Sequence, residues 1–188
     1  AASPASPAPS GPPASPNEVT ARLAVAIPEP RCELDHKDAW QLLIATILSA
    51  QSTDRTVNTA TPVLFAKFPT PEALAAAPRE DVEAVVHRTG FFRNKAKNIQ
   101  GASLAVHQQF GGQVPRTMEQ LLTLPGVARK TANVVLGVAY RIAAGIVVDT
   151  HVMRTSQRLL LSQARTPEKL EQDLCAAFPR EQWIDGGH

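Results

Sequence analysis

The chain has 188 residues, enough for one large domain or two small ones; 44% are hydrophobic, chiefly Ala, Leu and Val, and only 5% aromatic, which favours packed helices over sheets. Its net charge of +2 points only weakly to nucleic acid, because many proteins that bind none share that balance. Two cysteines without metal-ligand spacing imply no disulfide framework, and no apolar run reaches the roughly 20 residues of a membrane span, so the expectation is an intracellular, reducing location.

Residues 1–16 contain only Ala, Ser, Pro and Gly. With no charged start and no apolar centre they are not a secretory signal, and their composition reads as a flexible tail. The chain begins without Met, and a fragment is one expectation that follows. Beyond Asn17 the pattern is a run of short amphipathic helices. Residues 38–49 (DAWQLLIATILS) are apolar nearly all round, as befits a buried central helix. Residues 54–68 show helical spacing, with a kink at Pro62 or a fresh start at Thr61. Thr70 fits an N-cap with Pro71 in first helical position, a device repeated at Thr166 and Pro167. Further helices are expected over 79–87, 94–110, 118–122, 129–140, 150–161 and 168–178. The stretch IAAGIVV (142–148) reads as an extended link, because no partner strand is visible. The fold class is all-α.

Four segments carry chemistry. In LPGVARKTANVVL (124–136), a short helix leads through Pro125 and Gly126 into a second helix near Arg129, forming a helix–hairpin–helix. Such a turn offers backbone N–H groups to a phosphate. Lys130 follows directly. A lysine in a first helical turn is ordinarily just solvated, but this one stands beside the turn and ahead of the small Thr131, Ala132 and Asn133. An amine that attacks a sugar carbon must be unprotonated, and both a helix N-terminus and desolvation disfavour an ammonium. Asp149, in VVDTH (147–151), is either a plain N-cap or a rigidly aimed carboxylate that takes a proton or steadies a charged sugar. Gln51 closes the buried helix in a polar bunch and is either solvated or a filler for a gap in a base stack. In TGFFRNKAKNI (89–99), Phe91 and Phe92 are placed on a loop, with Arg93, Lys95 and Lys97 behind. Paired aromatics are commonly core; interleaved with cations they suit a wedge between bases.

Together with LLIATILSAQSTD (42–54), these segments resemble, in order and spacing, endonuclease III of the helix–hairpin–helix DNA glycosylase superfamily, the similarity running from about Asn17 to His188. The resemblance implies a two-domain helical fold with an interdomain cleft: a six-helix domain over 32–142, and a second domain from 17–31 plus 143–188. It implies a bifunctional glycosylase and abasic-site lyase that removes oxidised pyrimidines from duplex DNA in base excision repair, acting as a monomer. A damaged base would be flipped out of the duplex. Lys130 would attack the anomeric carbon to give a Schiff base and β-elimination, with Asp149 the essential carboxylate. Gln51 would fill the vacated space and Phe91 would wedge the opposite strand. Arg93 and Lys95 would hold phosphates, and Gly126, Val127, Ala128 and Arg129 would bind backbone phosphate with a monovalent cation's help.

The sequence departs from the family at two places. Ala128 stands where a second hairpin glycine is usual, so phosphate binding is expected to differ slightly. The family ends in a four-cysteine loop ligating a [4Fe–4S] cluster, and those ligands are not in this chain. Truncation is the preferred reading over a natural lack, and no cluster is expected here. Two alternatives differ in function. An adenine-mismatch glycosylase would carry Ser at position 130 and Glu at position 45, where this chain has Lys130 and Ala45. A non-catalytic helix–hairpin–helix module would need neither Lys130 nor Asp149.

Overall fold

The computed structural model describes residues 32–183, with residues 15, 18, 19, 21, 22 and 25. The tail expected over 1–16 and the segment 17–31 lie almost wholly outside the described residues. The described residues contain helices and turns and no strand, and none of these helices is long and apolar enough to cross a membrane. The chain divides into two compact units, Cys32–Ala144 and a second made of Ala1–Arg31 with Gly145–His188.

The first unit is organised around helix α1 (Ala39–Ser49), whose N-terminus is capped where Asp38 accepts from the Gln41 amide at 2.8 Å. Leu42, Leu43, Ile44, Ala45 and Leu48 are fully buried, so this helix is surrounded by protein on every side. Each such leucine stabilises the unit by about 1.5–3 kcal/mol. Helix α2 (Asp54–Lys67) follows Thr53 as N-cap and runs unbroken through Pro62. Pro62 is exposed, while Val57, Ala60, Thr61 and Leu64 hold the opposite face in the core, so the lost backbone bond lies toward water and packing outweighs it.

Thr70 and Pro71 start α3 (Pro71–Ala76), whose end is closed when buried Gln100 donates to the carbonyls of Leu74 and Ala77 at 3.2 and 2.7 Å. Helix α4 (Arg79–Val86) ends earlier than the sequence pattern suggests, in a 3-10 turn over His87–Thr89. Helix α5 (Phe92–Phe110) starts two residues before the expected Asn94. It packs on α1 and ties to it where Trp40 donates its indole N–H to Ser103 at 3.2 Å. Helices α6 (Met118–Leu121) and α7 (Arg129–Tyr140) complete the unit, and α7 lies along α1. The unit thus holds seven helices, of which α3 and α6 are short and start on the Thr70 and Thr117 caps.

In the second unit, Ile146, Val147 and Val148 form a buried link without regular secondary structure that leads into α8 (Thr150–Arg158). That helix stops short of the expected Leu161, because Leu160 turns left-handed and the Leu161 amide returns to the Ser156 carbonyl at 2.9 Å. Helix α9 (Pro167–Ala177) has the Thr166 cap and buries Leu170 and Leu174 against Ile146, Val148 and Ala164.

Candidate functional site

The hairpin between α6 and α7 is built on an alternation of anchors and exposed backbone. Leu124 and Val127 are 2% and 8% exposed and hold the turn in the core, while Pro125, Gly126, Ala128, Arg129 and Lys130 face outward. Two internal bonds brace it, from the Leu124 amide to the Leu121 carbonyl at 3.1 Å and from the Val127 amide to the Leu124 carbonyl at 3.2 Å. Val127 is therefore corrected from a phosphate contact to an anchor: its side chain is in the core and its N–H is spent inside the turn.

Gly126 adopts φ 76, and a Cβ there would lie 2.8 Å from Asn98 Cβ, so the position demands glycine. Gly101 of α5 gives Pro125 its room, since a Cβ on Gly101 would stand 3.1 Å from the proline ring. Ala128 sits at φ −95 and ψ 172, extended backbone open to any residue. The missing family glycine thus imposes no strain on this hairpin.

Helix α7 begins at Ala128, which has no side-chain oxygen to cap it, in contrast to Asp38, Thr53, Thr70, Thr117, Asp149 and Thr166 at other helices. A helix N-terminus of this kind carries partial positive charge and suits an anion. Lys130 is exposed in the first turn of α7, with Ala132 and Asn133 buried behind it.

Gln51 and Phe91 occupy two tight turns of the same unit. Gln51 follows α1 at φ 55 and is exposed; Phe91 precedes α5 at φ 47 and is 70% exposed. Left-handed backbone is rare for residues of these types and marks imposed conformations. Phe92 is not on a loop but in the first turn of α5, packed on the His87 ring at 4.5 Å, with the Arg93 guanidinium 5.3 Å above its own ring. Arg93 and Lys97 face solvent.

Lys95 is corrected from a phosphate contact to an interior residue. It is 5% exposed, and its Nζ donates to Ser52 Oγ at 2.8 Å and to the Thr89 carbonyl at 2.6 Å. Burial holds its ammonium below the usual lysine range. Sequence reasoning missed this contact, and missed Asn98 and Gly101 as the seat of the hairpin. A glycine inside a 19-residue helix was the available signal for the latter.

In the second unit, Asp149 caps α8: its Oδ1 accepts from the amides of His151 and Val152, both at 2.8 Å. The carboxylate is half-buried and fixed in direction. Cys32 and Cys175 belong to different units and are half-buried, and burial pushes the Cys32 thiol up. Among the described residues no group of three or more His, Cys, Asp or Glu side chains comes together.

Comparison with known proteins adds the following. The profile of the HhH-GPD superfamily of base excision DNA repair proteins matches residues 44–180. Endonuclease III of Synechocystis sp. is 54% identical over 166 residues, 88% of this chain and 76% of that protein. A non-covalent endonuclease III–DNA complex superposes with a TM-score of 0.87 at 40% identity, covering 92% of this chain and 80% of that one. A trapped endonuclease III–DNA covalent intermediate matches with the same score and identity, over 92% of this chain and 82% of that one.

Proposed function

The chain belongs to the endonuclease III family, within the HhH-GPD superfamily of base excision DNA repair proteins, and we infer that it is a bifunctional DNA glycosylase and abasic-site lyase acting on oxidised pyrimidines in duplex DNA. The observation that carries this reading is an exposed amine, Lys130, in the first turn of the helix that follows a glycine-dependent hairpin. Such a hairpin suits backbone phosphate, and a phosphate held there sets the register of a sugar beside the lysine.

The reaction runs in balanced steps. With the damaged nucleotide out of the stack, the neutral Lys130 amine bonds to C1′ as the glycosidic bond breaks, and the base leaves with a proton. The ring opens to a protonated Schiff base. Loss of a proton from C2′ then expels the 3′-phosphate by β-elimination, and water hydrolyses the imine to free the lysine. Desolvation of the amine comes with the bound DNA. Asp149 is the carboxylate that takes the lysine's proton and offsets positive charge on the sugar. Gln51 fills the space left in the stack, Phe91 wedges the opposite strand, and Arg93 and Arg129 hold phosphates. A monovalent cation at the hairpin would rest on backbone carbonyls. The cytoplasm or nucleoid, where the DNA lies, is the place of this work.

Ala45 is fully buried in α1, which leaves that helix without the carboxylate of an adenine-mismatch glycosylase. The test is single-turnover assay of a duplex bearing one oxidised pyrimidine. Wild type is expected to release the base and cleave the strand by β-elimination, and Lys130→Ala to do neither while still binding. Binding without either reaction in the wild type would favour a non-catalytic module.

A further inference from the structure

The two exposed turns that carry Gln51 and Phe91 are locked together from inside by one buried amine. Lys95 Nζ donates to Ser52 Oγ, one residue after Gln51, and to the Thr89 carbonyl, two residues before Phe91. Ser52 Oγ itself donates to the same Thr89 carbonyl, closing a triangle. The Lys95 backbone amide also donates to the Phe91 carbonyl at 3.0 Å, so a single residue touches both turns. Its side-chain partners here are uncharged oxygens. An ammonium buried on uncharged partners is a poor way to gain stability, since an apolar side chain of similar volume would avoid the desolvation cost. What the arrangement does supply is a fixed distance between two strained turns.

We propose that Lys95 is a positioning residue that couples the Gln51 turn to the Phe91 turn, so that gap filling on one strand and wedging of the other occur as one event. This deepens the glycosylase reading given above and rests on it. Without the lock, each turn must be ordered separately when DNA binds, and the entropy of fixing about one backbone residue corresponds to roughly a tenfold loss in rate. The loss falls on extruding a paired base. A preformed abasic site has no base to extrude and is affected less.

The experiment compares single-turnover excision of an oxidised pyrimidine paired with a purine against β-elimination at a preformed abasic site. In Lys95→Met the ratio of the two rates is expected to drop about tenfold, with the thermal midpoint close to wild type because Ser52 still bonds to Thr89. In a Gln51→Ala, Phe91→Ala background, adding Lys95→Met should change the ratio by less than about twofold, since the residue acts through those two. If Lys95→Met does not fold, Ser52→Ala removes one arm of the triangle and is expected to lower the ratio in the same direction. An unchanged ratio in a folded variant overturns the proposal, as does a full further loss in the double-alanine background. A wild type inactive on both duplexes overturns the glycosylase reading, and the proposal falls with it; a wild type active on both with an unchanged Lys95→Met ratio overturns the coupling alone.

Discussion

Replacing Gly126 with alanine strains the hairpin in two separable ways. At φ 76 an alanine pays the left-handed penalty of about 1–2 kcal/mol. Its Cβ would also meet Asn98 at 2.8 Å from Cβ and 3.0 Å from Cγ and Nδ2, which forces a shift of α5 or of the turn. Overpacking of that kind costs about 1–3 kcal/mol, so the sum is roughly 2–5 kcal/mol. A domain with ordinary stability of about 5–15 kcal/mol survives this loss in folded form. Urea unfolding, followed by fluorescence of the buried Trp40, should therefore show a lower midpoint with a complete native baseline. Combining Gly126→Ala with Asn98→Gly removes the contact and leaves the backbone strain. The two changes should couple favourably by about 1–2 kcal/mol, despite the roughly 1 kcal/mol cost of a helical glycine. Binding of a duplex with a stable abasic analogue, read by fluorescence anisotropy, should weaken in parallel as the turn moves. A Gly126→Ala protein within about 0.5 kcal/mol of wild type would refute the reasoning, as would a penalty indifferent to Asn98.

Asp149→Asn keeps an N-cap of equal quality, so stability should fall by no more than about 1 kcal/mol while excision slows by about 10²–10⁴-fold. Equal losses from stability and rate would reduce Asp149 to a cap. In α9, hydrogen bonds from Ser162 at 2.6 Å and then from Lys169 hold the Asp173 carboxyl below its ordinary range. A lowered folded-state value stabilises above the unfolded value of 3.8 and is lost as pH falls through the folded one. The urea midpoint of wild type should exceed that of Asp173→Asn at pH 5, and the gap should close from about pH 4 downward. A gap that persists at pH 2.5 would contradict it.

The elements that could be read from the sequence are those whose signal is local. Pro125 with Gly126, and the paired Thr70–Pro71 and Thr166–Pro167, fix turns and caps through their own backbone chemistry, and the structure places them as expected. At Pro62 no fresh helix starts, because the local rule against proline inside a helix yields to four buried residues on the other face of α2. Lys95 was unreadable for a related reason. Nothing near it in sequence tells that Ser52, 43 residues away, accepts its hydrogen bond, so it passed for one more surface cation beside Arg93 and Lys97. The same distance hid Asn98 and Gly101 as the seat of the hairpin. Lys130 and Asp149 were visible as residue types in telling positions, and their chemistry is a matter for experiment.

The central claim is that Lys130 is the Schiff-base nucleophile. Borohydride reduction of the protein on a duplex with a single abasic site, followed by peptide mapping of the cross-link, tests it in one step. The account predicts a stable protein–DNA adduct whose modified residue is Lys130, and none with Lys130→Ala at equal DNA occupancy. An adduct mapping to another amine, or a cross-link undiminished in Lys130→Ala, would contradict it.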